Sequence, residues 1–250
     1  MRSVAEKLTN GAVKNDAVAP AVILEKVLFR WPGQRKDTLD IPSFSMLAGE
    51  RVFISGPSGS GKSTLLGIVA GILLPSSGAA TVNGICLNEL GSAQRDIFRG
   101  DHAGIIFQQF NLISYLSILE NVLVPCRFSP LRHMRACRQA ESPVAEAKTL
   151  LERLDLSPSL WGRPVNKLSI GQQQRVAAAR ALIGQPDILI ADEPTSSLDV
   201  GRRKAFLRLL LGECRAAGTS LIFVSHDQSL AEDFPRVVHL PDLNRAEEAG

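Results

Sequence analysis

The sequence predicts an α/β fold in which helices cover a parallel sheet. Three short runs are almost wholly apolar, as strands buried on both faces are. These runs are residues 188–191, 221–224 and 237–238. They alternate with helical segments, including one over residues 199–217 that ends at Gly218. Between Gln108 and about Lys167 strand signals disappear and helical signals replace them, which predicts a helical subdomain inserted into the α/β core.

A small antiparallel β-layer is predicted near the N-terminus. Residues 22–29 are apolar and β-prone, and residues 43–46 alternate with period two, as half-buried strands do. Together with the apolar run at residues 52–54, they suggest a β-layer ahead of the helical segments. Asn83 and Gly84 have the sequence of a hairpin turn between two further β-prone pairs.

The helical insertion follows a strand predicted at residues 104–107. Within it, Ser142 has the sequence of an N-cap, with Pro143 at the first helical position. The residues predicted to share one apolar face of this helix are Val144, Ala147, Leu151 and Leu154. The basic residues expected on the solvated surface of the insertion are Arg132, Arg135 and Arg138.

Composition and charge limit the class of protein. The 250 residues are 45% hydrophobic and 21% charged, which suits one large domain with a proper core, and a net charge of +3 gives nucleic-acid binding no support. The four cysteines lack C-x-x-C spacing, so a reducing cytosol fits better than a zinc site or a disulfide framework. No signal peptide and no apolar run near the ~20 residues of a membrane span is recognised. Residues 1–20 are predicted to form a disordered tail.

A glycine-rich stretch lies between the apolar run at residues 52–54 and a helical segment that starts at Thr64. Its residues are Gly56, Pro57, Ser58, Gly59, Ser60, Gly61, Lys62 and Ser63, the G-x-x-x-x-G-K-S pattern of a P-loop. Glycines allow backbone N–H groups to point inward, and the helix N-terminus adds positive partial charge. Lys62 would then reach the β- and γ-phosphates, and Ser63 would offer its hydroxyl to Mg²⁺. The alternative is a glycine-rich turn before a buried helix.

Two acidic residues, Asp192 and Glu193, directly follow the apolar run at residues 188–191. A carboxylate at the carboxyl end of a buried strand lies where α/β sheets bind ligands. Asp192 is therefore predicted to reach Mg²⁺ through its water shell, and Glu193 to polarise an attacking water. The alternative is an acid pair that caps a helix.

A second phosphate site is predicted at the start of another helical segment. Ser169 and Gln172 have the spacing of a capping box, and Gly171 between them permits close approach. The alternative is a well-capped helix without a ligand. Trp31, just after the first predicted strand, could provide a ring on which a nucleobase stacks, or could be an ordinary, partly buried aromatic residue.

Taken together, these residues resemble the ATP-binding subunit of ABC transporters, and the match runs from about residue 22 to residue 240. Residues 56–63 look like Walker A, residues 168–172 like the LSGGQ signature, and Asp192 with Glu193 like Walker B and its catalytic base. The remaining motifs are Gln108 as the Q-loop, residues 196–199 as the D-loop, His226 as the switch histidine and Trp31 as the A-loop aromatic. All of these motifs in this order are very specific to the family.

The resemblance implies a fold and a set of site residues. The fold is that of a P-loop NTPase, with a RecA-like core over about residues 21–107 and 176–240 and a helical subdomain over about residues 108–175, within a domain of residues 21–245. The implied catalytic residues are Glu193, His226 and Gln108, and the implied Mg²⁺ ligands are Ser63, Gln108 and Asp192. The implied nucleotide contacts are Trp31, residues 56–64, Ser169, Gly171, Gln172 and Asp199.

The resemblance also implies an assembly and a mechanism. Two copies would pack head to tail with two ATP molecules between them, each held by Walker A of one chain and the signature of the other. ATP binding closes such a dimer and hydrolysis reopens it. The motion would pass to a transmembrane permease on a separate chain, at the cytoplasmic face of the inner membrane. No nucleic-acid partner is expected.

The signature departs from the family pattern at one position, because Ile170 replaces its first glycine while Gly171 remains. An isoleucine adds bulk and cannot readily adopt positive φ, which raises the question of how the motif engages phosphate. Residues 172–176 and 120–125 look like the lipoprotein-release and macrolide-export branch of the family.

Other P-loop classes fit less well. The guanine-specific N-K-x-D motif has its nearest counterpart at Asn166–Lys167, where the aspartate is missing. ABC-type ATPases of DNA repair carry a long coiled-coil insertion, and those of translation carry two ATPase domains in one chain; neither is found here. A non-transport ATPase and the ATPase subunit of an importer remain the alternatives to an exporter subunit.

Overall fold

The computed structural model describes residues 19–246. The strands are β1 Pro20–Phe29, β2 Leu39–Leu47, β3 Arg51–Ser55, β4 Ser77–Val82, β5 Ile85–Cys86, β6 Ala103–Ile106, β7 Ile188–Asp192, β8 Ser220–Val224 and β9 Arg236–His239. The helices are α1 Lys62–Val69, α2 Ser92–His102, α3 Ile118–Phe128, α4 Pro130–Gln139, α5 Pro143–Arg153, α6 Ile170–Leu182, α7 Val200–Ala217 and α8 Leu240–Leu243. The predicted tail lies outside the described residues except for Ala19 and Pro20, and Pro20 already belongs to β1.

A five-stranded parallel sheet forms the centre of the fold, in the order β6-β7-β8-β3-β9. The α/β class with a parallel core is therefore confirmed. The expectation that residues 52–54 belong to the N-terminal β-layer is wrong, because β3 pairs in parallel with β8 and β9. Its alternate residues enter two different cores, with Phe53 on one face and Val52 and Ile54 on the other. A strand buried on both faces in this way needs neighbours in a parallel sheet.

The edge of the parallel sheet differs from its centre. β7 and β8 are almost wholly buried, as predicted, but β9 alternates between half-buried and exposed residues. Val237 is 51% exposed, so its apolar character reflects an edge position rather than burial on both faces.

The N-terminal β-layer is a separate antiparallel sheet in the order β2-β1-β4-β5. The hairpin predicted at Asn83 and Gly84 joins β4 to β5, and both residues adopt positive φ, as a type I′ turn requires. This sheet packs with α1 and one face of the parallel sheet around a shared apolar core. The P-loop helix is thereby held between the two sheets.

Helices α3, α4 and α5 form the predicted helical insertion between β6 and α6. Ser142 caps α5 by accepting from Ala145 N at 3.2 Å, as the sequence indicated. The predicted apolar face is wrong at Val144, which is exposed. This residue lies in the first turn of α5, ahead of the buried stripe that starts at Glu146 and Ala147. Within residues 19–246, no helix combines the length and the apolar character needed to span a bilayer.

The prediction that Arg132 lies on a solvated surface is wrong, since its side chain is almost completely buried. Its guanidinium donates to Ala181 O at 2.6 Å and to Ile183 O at 2.8 Å, the free carbonyls at the C-terminal end of α6. Burial lowers the pKa of Arg132 to about 10, while Cys126 and Glu146 oppose that shift. Arg132 thus joins α4 of the insertion to the end of α6. The neighbouring Gly184 N donates to both carboxylate oxygens of Glu146, at 3.2 Å each.

We expect Arg132→Ala to lower the free energy of unfolding by about 3 kcal/mol. The substitution leaves buried carbonyls without donors and opens a cavity. Arg138→Ala on the exposed face of the same helix is the control, with an expected change within about 0.5 kcal/mol. Urea unfolding of both variants measures the difference, and equal losses would contradict a specific role of the buried guanidinium.

Candidate active site

The glycine-rich loop of residues 56–61 connects β3 to α1, in the strand–loop–helix order that the sequence predicted. Gly61 has φ +96°, and a Cβ there would lie 2.7 Å from Leu39 Cδ2 and 3.1 Å from Thr38 O. A Cβ at Gly56 would lie 2.8 Å from Ser60 Oγ. Side chains at these two positions would therefore fill the loop or push it away from β2, and glycine is required at both.

The N-terminal end of α1 is built to receive an anion. Gly61 provides no side-chain cap, and Leu65 N to Gly61 O is the first helical hydrogen bond. The amides of Lys62, Ser63 and Thr64 therefore remain available at the positive end of the helix. Ser60 Oγ is buried without a hydrogen-bond partner. These donors fit the terminal phosphates of a nucleotide.

Lys62 lies over the same loop. Its ammonium donates to Gly56 O at 2.9 Å and to Pro57 O at 2.7 Å. The charge is therefore held against the loop, where it would meet an entering phosphate. The carbonyl contacts are weak enough to exchange for charge-assisted bonds to phosphate oxygens.

Ser63 and Asp192 come together from different elements. The hydroxyl at the start of α1 donates to Asp192 Oδ2, at the end of β7, at 2.9 Å. Among residues 19–246, no group of three or more His, Cys, Asp or Glu side chains is arranged to hold a metal ion. One hydroxyl and one carboxylate suit Mg²⁺, which takes its remaining ligands from waters and substrate phosphates. The site fits Mg²⁺ brought in with a nucleotide.

Glu193 and His226 form the second polar pair at the carboxyl ends of the parallel strands. His226 Nδ1 lies 2.7 Å from Glu193 Oε2, with the glutamate side chain only 14% exposed and the imidazole 63% exposed. Glu193 adopts φ +47° and its N–H donates to Val224 O at 3.0 Å, which turns the chain sharply at the end of β7. The sequence predicted both residues but not their contact, because they follow neighbouring strands far apart in the chain.

Gln108 and Trp31 stand at the periphery of this group. Gln108 is exposed just beyond the carboxyl end of β6, and Asp192 lies at the carboxyl end of the neighbouring strand β7. Trp31 is 40% exposed and meets the ring of Phe29 edge-on, with centroids 5.1 Å apart. One side of the indole is thus anchored in the protein, and part of its surface stays open for a ligand.

The predicted signature lies at the N-terminus of α6. Ser169 and Gln172 form a capping box, with Gln172 N donating to Ser169 Oγ at 3.3 Å and Ser169 N donating to Gln172 Oε1 at 3.0 Å. Ile170 is 53% exposed and points away from the core. Gly171 is nearest to Leu198, and a Cβ there would lie 3.7 Å from Leu198 Cδ2. These contacts join the signature to its own helix and to Leu198, in the segment that follows Glu193.

Two further residues lie near this end of the site: one caps the following helix, and the other connects the signature helix to the segment after Glu193. Asp199 caps α7 by accepting from Arg202 N at 3.0 Å. Gln174 is fully buried and donates to Pro194 O at 2.8 Å, one residue beyond Glu193. The sequence does not predict a role for Gln174, whose signal is limited to a polar residue on the inward face of a helix.

Comparison with known sequences decides the family. The sequence profile described as "ABC transporter" matches residues 39–196. The chain belongs to the ABC transporter family. This ABC ATPase binds and hydrolyses ATP, as the P-loop and the strand-end carboxylates indicated.

Relatives and solved structures agree with this assignment. The chain is 39% identical to the uncharacterised ABC transporter ATP-binding protein Rv0986 of Mycobacterium tuberculosis, over 87% of both chains. It is 38% identical to the lipoprotein-releasing system ATP-binding protein LolD of Legionella pneumophila, over 77% of this chain and 81% of LolD. A dimeric post-hydrolysis structure of the ATP-binding cassette MJ0796, bound to ADP and Pi, superposes with a TM-score of 0.78 at 34% identity, over 92% of this chain and 99% of MJ0796. The predicted resemblance to the lipoprotein-release and macrolide-export branch is confirmed.

We expect Trp31→Ala in this ABC ATPase to raise the Kd for ATP by about twofold to tenfold, since base stacking contributes about 0.5–1.5 kcal/mol. GTP should compete moderately well, because a ring reads the face of a base rather than its hydrogen-bonding edge. Trp31→Phe is the control and should keep most of the affinity. Fluorescence titration with a labelled nucleotide measures these values, and unchanged affinity in Trp31→Ala would make the aromatic merely structural.

Proposed function

We propose that this ABC ATPase is the energy-supplying subunit of an exporter, working as a homodimer with a transmembrane permease on a separate chain. The complex would lie at the cytoplasmic face of the inner membrane and would export or extract its substrate. The observation that carries this proposal is that the chain matches most of the length of one relative and only one part of another.

Two kinds of relative support the proposal. LolD, a lipoprotein-releasing system ATP-binding protein, matches over most of both chains. The macrolide export ATP-binding/permease protein MacB of Burkholderia pseudomallei is 40% identical over 89% of this chain, but the chain spans only 33% of MacB. The chain thus matches most of the length of a relative named as an ATP-binding protein. It matches only one part of a relative whose name also includes a permease.

The residue roles in this proposal combine the site geometry with the resemblance to the family. Ser63 and Asp192 would hold Mg²⁺ together with Gln108, and the metal would neutralise charge on the phosphates. Glu193 would accept a proton from the attacking water, and His226 would orient the Glu193 carboxylate through Nδ1 and sense the γ-phosphate.

The partner copy has a separate role in the proposal. Ser169, Gly171, Gln172 and Asp199 would meet the ATP held by that copy. The dimeric structure of MJ0796 supports an arrangement of two copies.

The test is purification of the tagged chain from detergent-solubilised membranes of its own host, followed by mass spectrometry. We expect a membrane protein with few spans and a large extracytoplasmic domain, and a reconstituted pair whose ATP hydrolysis responds to substrate. The same purification from cells that carry only the tag is the control. A solute-binding protein in the complex would favour an importer, and ribosomal or DNA-repair partners would favour a non-transport ATPase; either result would overturn the proposal.

A further inference from the structure

The C-terminal segment of the described chain packs against the P-loop, although the family motifs do not include it. Leu240, at the start of α8, is fully buried. A Cβ at Gly56 would lie 3.3 Å from Pro241 Cδ and 3.5 Å from Leu240 Cβ, so the segment closes one side of the loop. The residue after α8, Asn244, is the part of this segment that forms specific polar contacts.

The side-chain amide of Asn244 bonds to backbone groups of two distant elements. Its Nδ2 donates to Thr38 O at 3.0 Å and to Ser60 O at 3.3 Å, and its Oδ1 accepts from Asp40 N at 2.7 Å. Both amide protons are therefore used, and the oxygen also accepts from Ala246 N at 3.2 Å. The backbone adds a parallel contact, from Arg245 N to Asp40 O at 2.8 Å.

These contacts are not those of a helix cap. The backbone N–H of Asn244 already closes α8 by donating to Leu240 O. Its side chain instead reaches residues that lie 206, 204 and 184 positions earlier in the chain. An amide with two donors and one strong acceptor can hold three backbone groups at fixed spacing, which neither a hydroxyl nor an apolar side chain of this size can do.

The two elements held by Asn244 are the parts of the site that would contact the two ends of ATP. Ser60 lies in the phosphate-binding loop, and Thr38 ends the connection between β1 and β2 that carries Trp31. The two already touch at Gly61, where a Cβ would lie 3.1 Å from Thr38 O. At this contact Gly61 permits the close approach of the two elements, and Asn244 adds directional hydrogen bonds to both of them.

We propose that Asn244 is a positioning residue that sets the distance between the base-stacking ring of Trp31 and the phosphate-binding loop. The inference rests on the proposed nucleotide site, in which Trp31 stacks on the base. Its consequence is that loss of Asn244 affects ligands that span both elements and spares ligands that occupy only the loop.

The test compares binding of ATP with binding of inorganic tripolyphosphate, which carries the phosphates without the base. For Asn244→Ala we expect the Kd for ATP to rise by about twofold to tenfold, the range expected for loss of stacking, and the Kd for tripolyphosphate to stay unchanged. Trp31→Ala should give the same pattern, and the double variant should lose no more than either single variant, because both act on one contact. Calorimetric titration measures both dissociation constants for the two single variants and the double variant.

Asn88→Ala is the matched control. The Asn88 side chain also bridges two backbone groups, accepting from Ala80 N at 2.9 Å and donating to Gly78 O at 3.2 Å, in the antiparallel sheet. It should lose thermal stability comparable to that of Asn244→Ala and leave both dissociation constants unchanged. If Asn244→Ala does not fold, Asn244→Ser provides the same comparison.

The outcomes separate this inference from the proposed site. Equal weakening of ATP and tripolyphosphate, additive losses in the double variant, or unchanged binding in Asn244→Ala would each overturn the positioning role. If the unmodified protein binds tripolyphosphate as tightly as ATP, or if Trp31→Ala alone has no effect, the assignment of Trp31 as the base platform fails, and the inference fails with it.

Discussion

Replacing Glu193 with Gln should lower ATP turnover by about 10²–10⁴-fold while ATP still binds. The amide keeps the size of the side chain and the sharp turn at the end of β7, but it cannot accept a proton from water. Glu193 is mostly buried and its Oε2 lies 2.7 Å from His226 Nδ1, so its carboxylate is held in one place for this role. Phosphate release under saturating Mg-ATP measures turnover, and nucleotide titration measures binding.

Glu50→Gln is the control for this substitution. Glu50 precedes β3, at the opposite end of the sheet, where it pairs with Arg236 at 3.1 Å. Its loss should leave turnover within about twofold of the unmodified protein, as surface changes far from a site usually do. Near-normal hydrolysis by Glu193→Gln would show that another group is the base.

The second large effect is expected at Gly171 in the Glu193→Gln protein. That protein should be mainly monomeric alone and dimeric with Mg-ATP, because a nucleotide that is not hydrolysed keeps the two copies together. Gly171→Asp should abolish the dimer by placing a carboxylate against the γ-phosphate of the partner's ATP. The single chain accommodates the new side chain, since a Cβ at this position meets only Leu198 Cδ2, at 3.7 Å.

Ile170→Gly is the counterpart of this variant, and it should preserve the dimer. The Ile170 side chain is half exposed, and the capping box of Ser169 and Gln172 does not depend on it. Sedimentation of the Glu193→Gln protein, with and without each second change, separates the two positions. A dimer in Gly171→Asp would refute the trans-phosphate role of residues 168–172. Loss of the dimer in Ile170→Gly would instead show that the isoleucine is required.

The parts of the site that the sequence predicts well are those with local chemistry. Residues 56–63 lie where a strand–loop–helix unit must place them, and Asp192 follows a strand whose apolar run already indicated burial. Ser169 and Gln172 form the capping box that their spacing predicted. In each case neighbouring residues determine the conformation, so a short window of sequence contains the information.

The parts that the sequence does not predict depend on distant elements. Arg132 resembled a surface residue because its partners, the carbonyls at the end of α6, lie about fifty residues away and have no side-chain signature. The sequence of β3 fits either sheet, and its pairing with β8 and β9 is set by the tertiary structure. Asn244 follows a short helix and has no local pattern that indicates contact with Ser60. Tertiary contact, rather than propensity, decides each of these positions.

The buried guanidinium of Arg132 fixes the C-terminal end of α6, so a tilt of this helix would move its signature end the most. The helix has 13 residues, so at about 1.5 Å per residue its signature end lies about 20 Å from the end that the guanidinium holds. A tilt of about 10° around that fixed end would displace the signature by about 3 Å, roughly the length of one hydrogen bond. A tilt of this size, applied through the insertion, would be sufficient to make or break the phosphate contact that we propose for the other end of the helix.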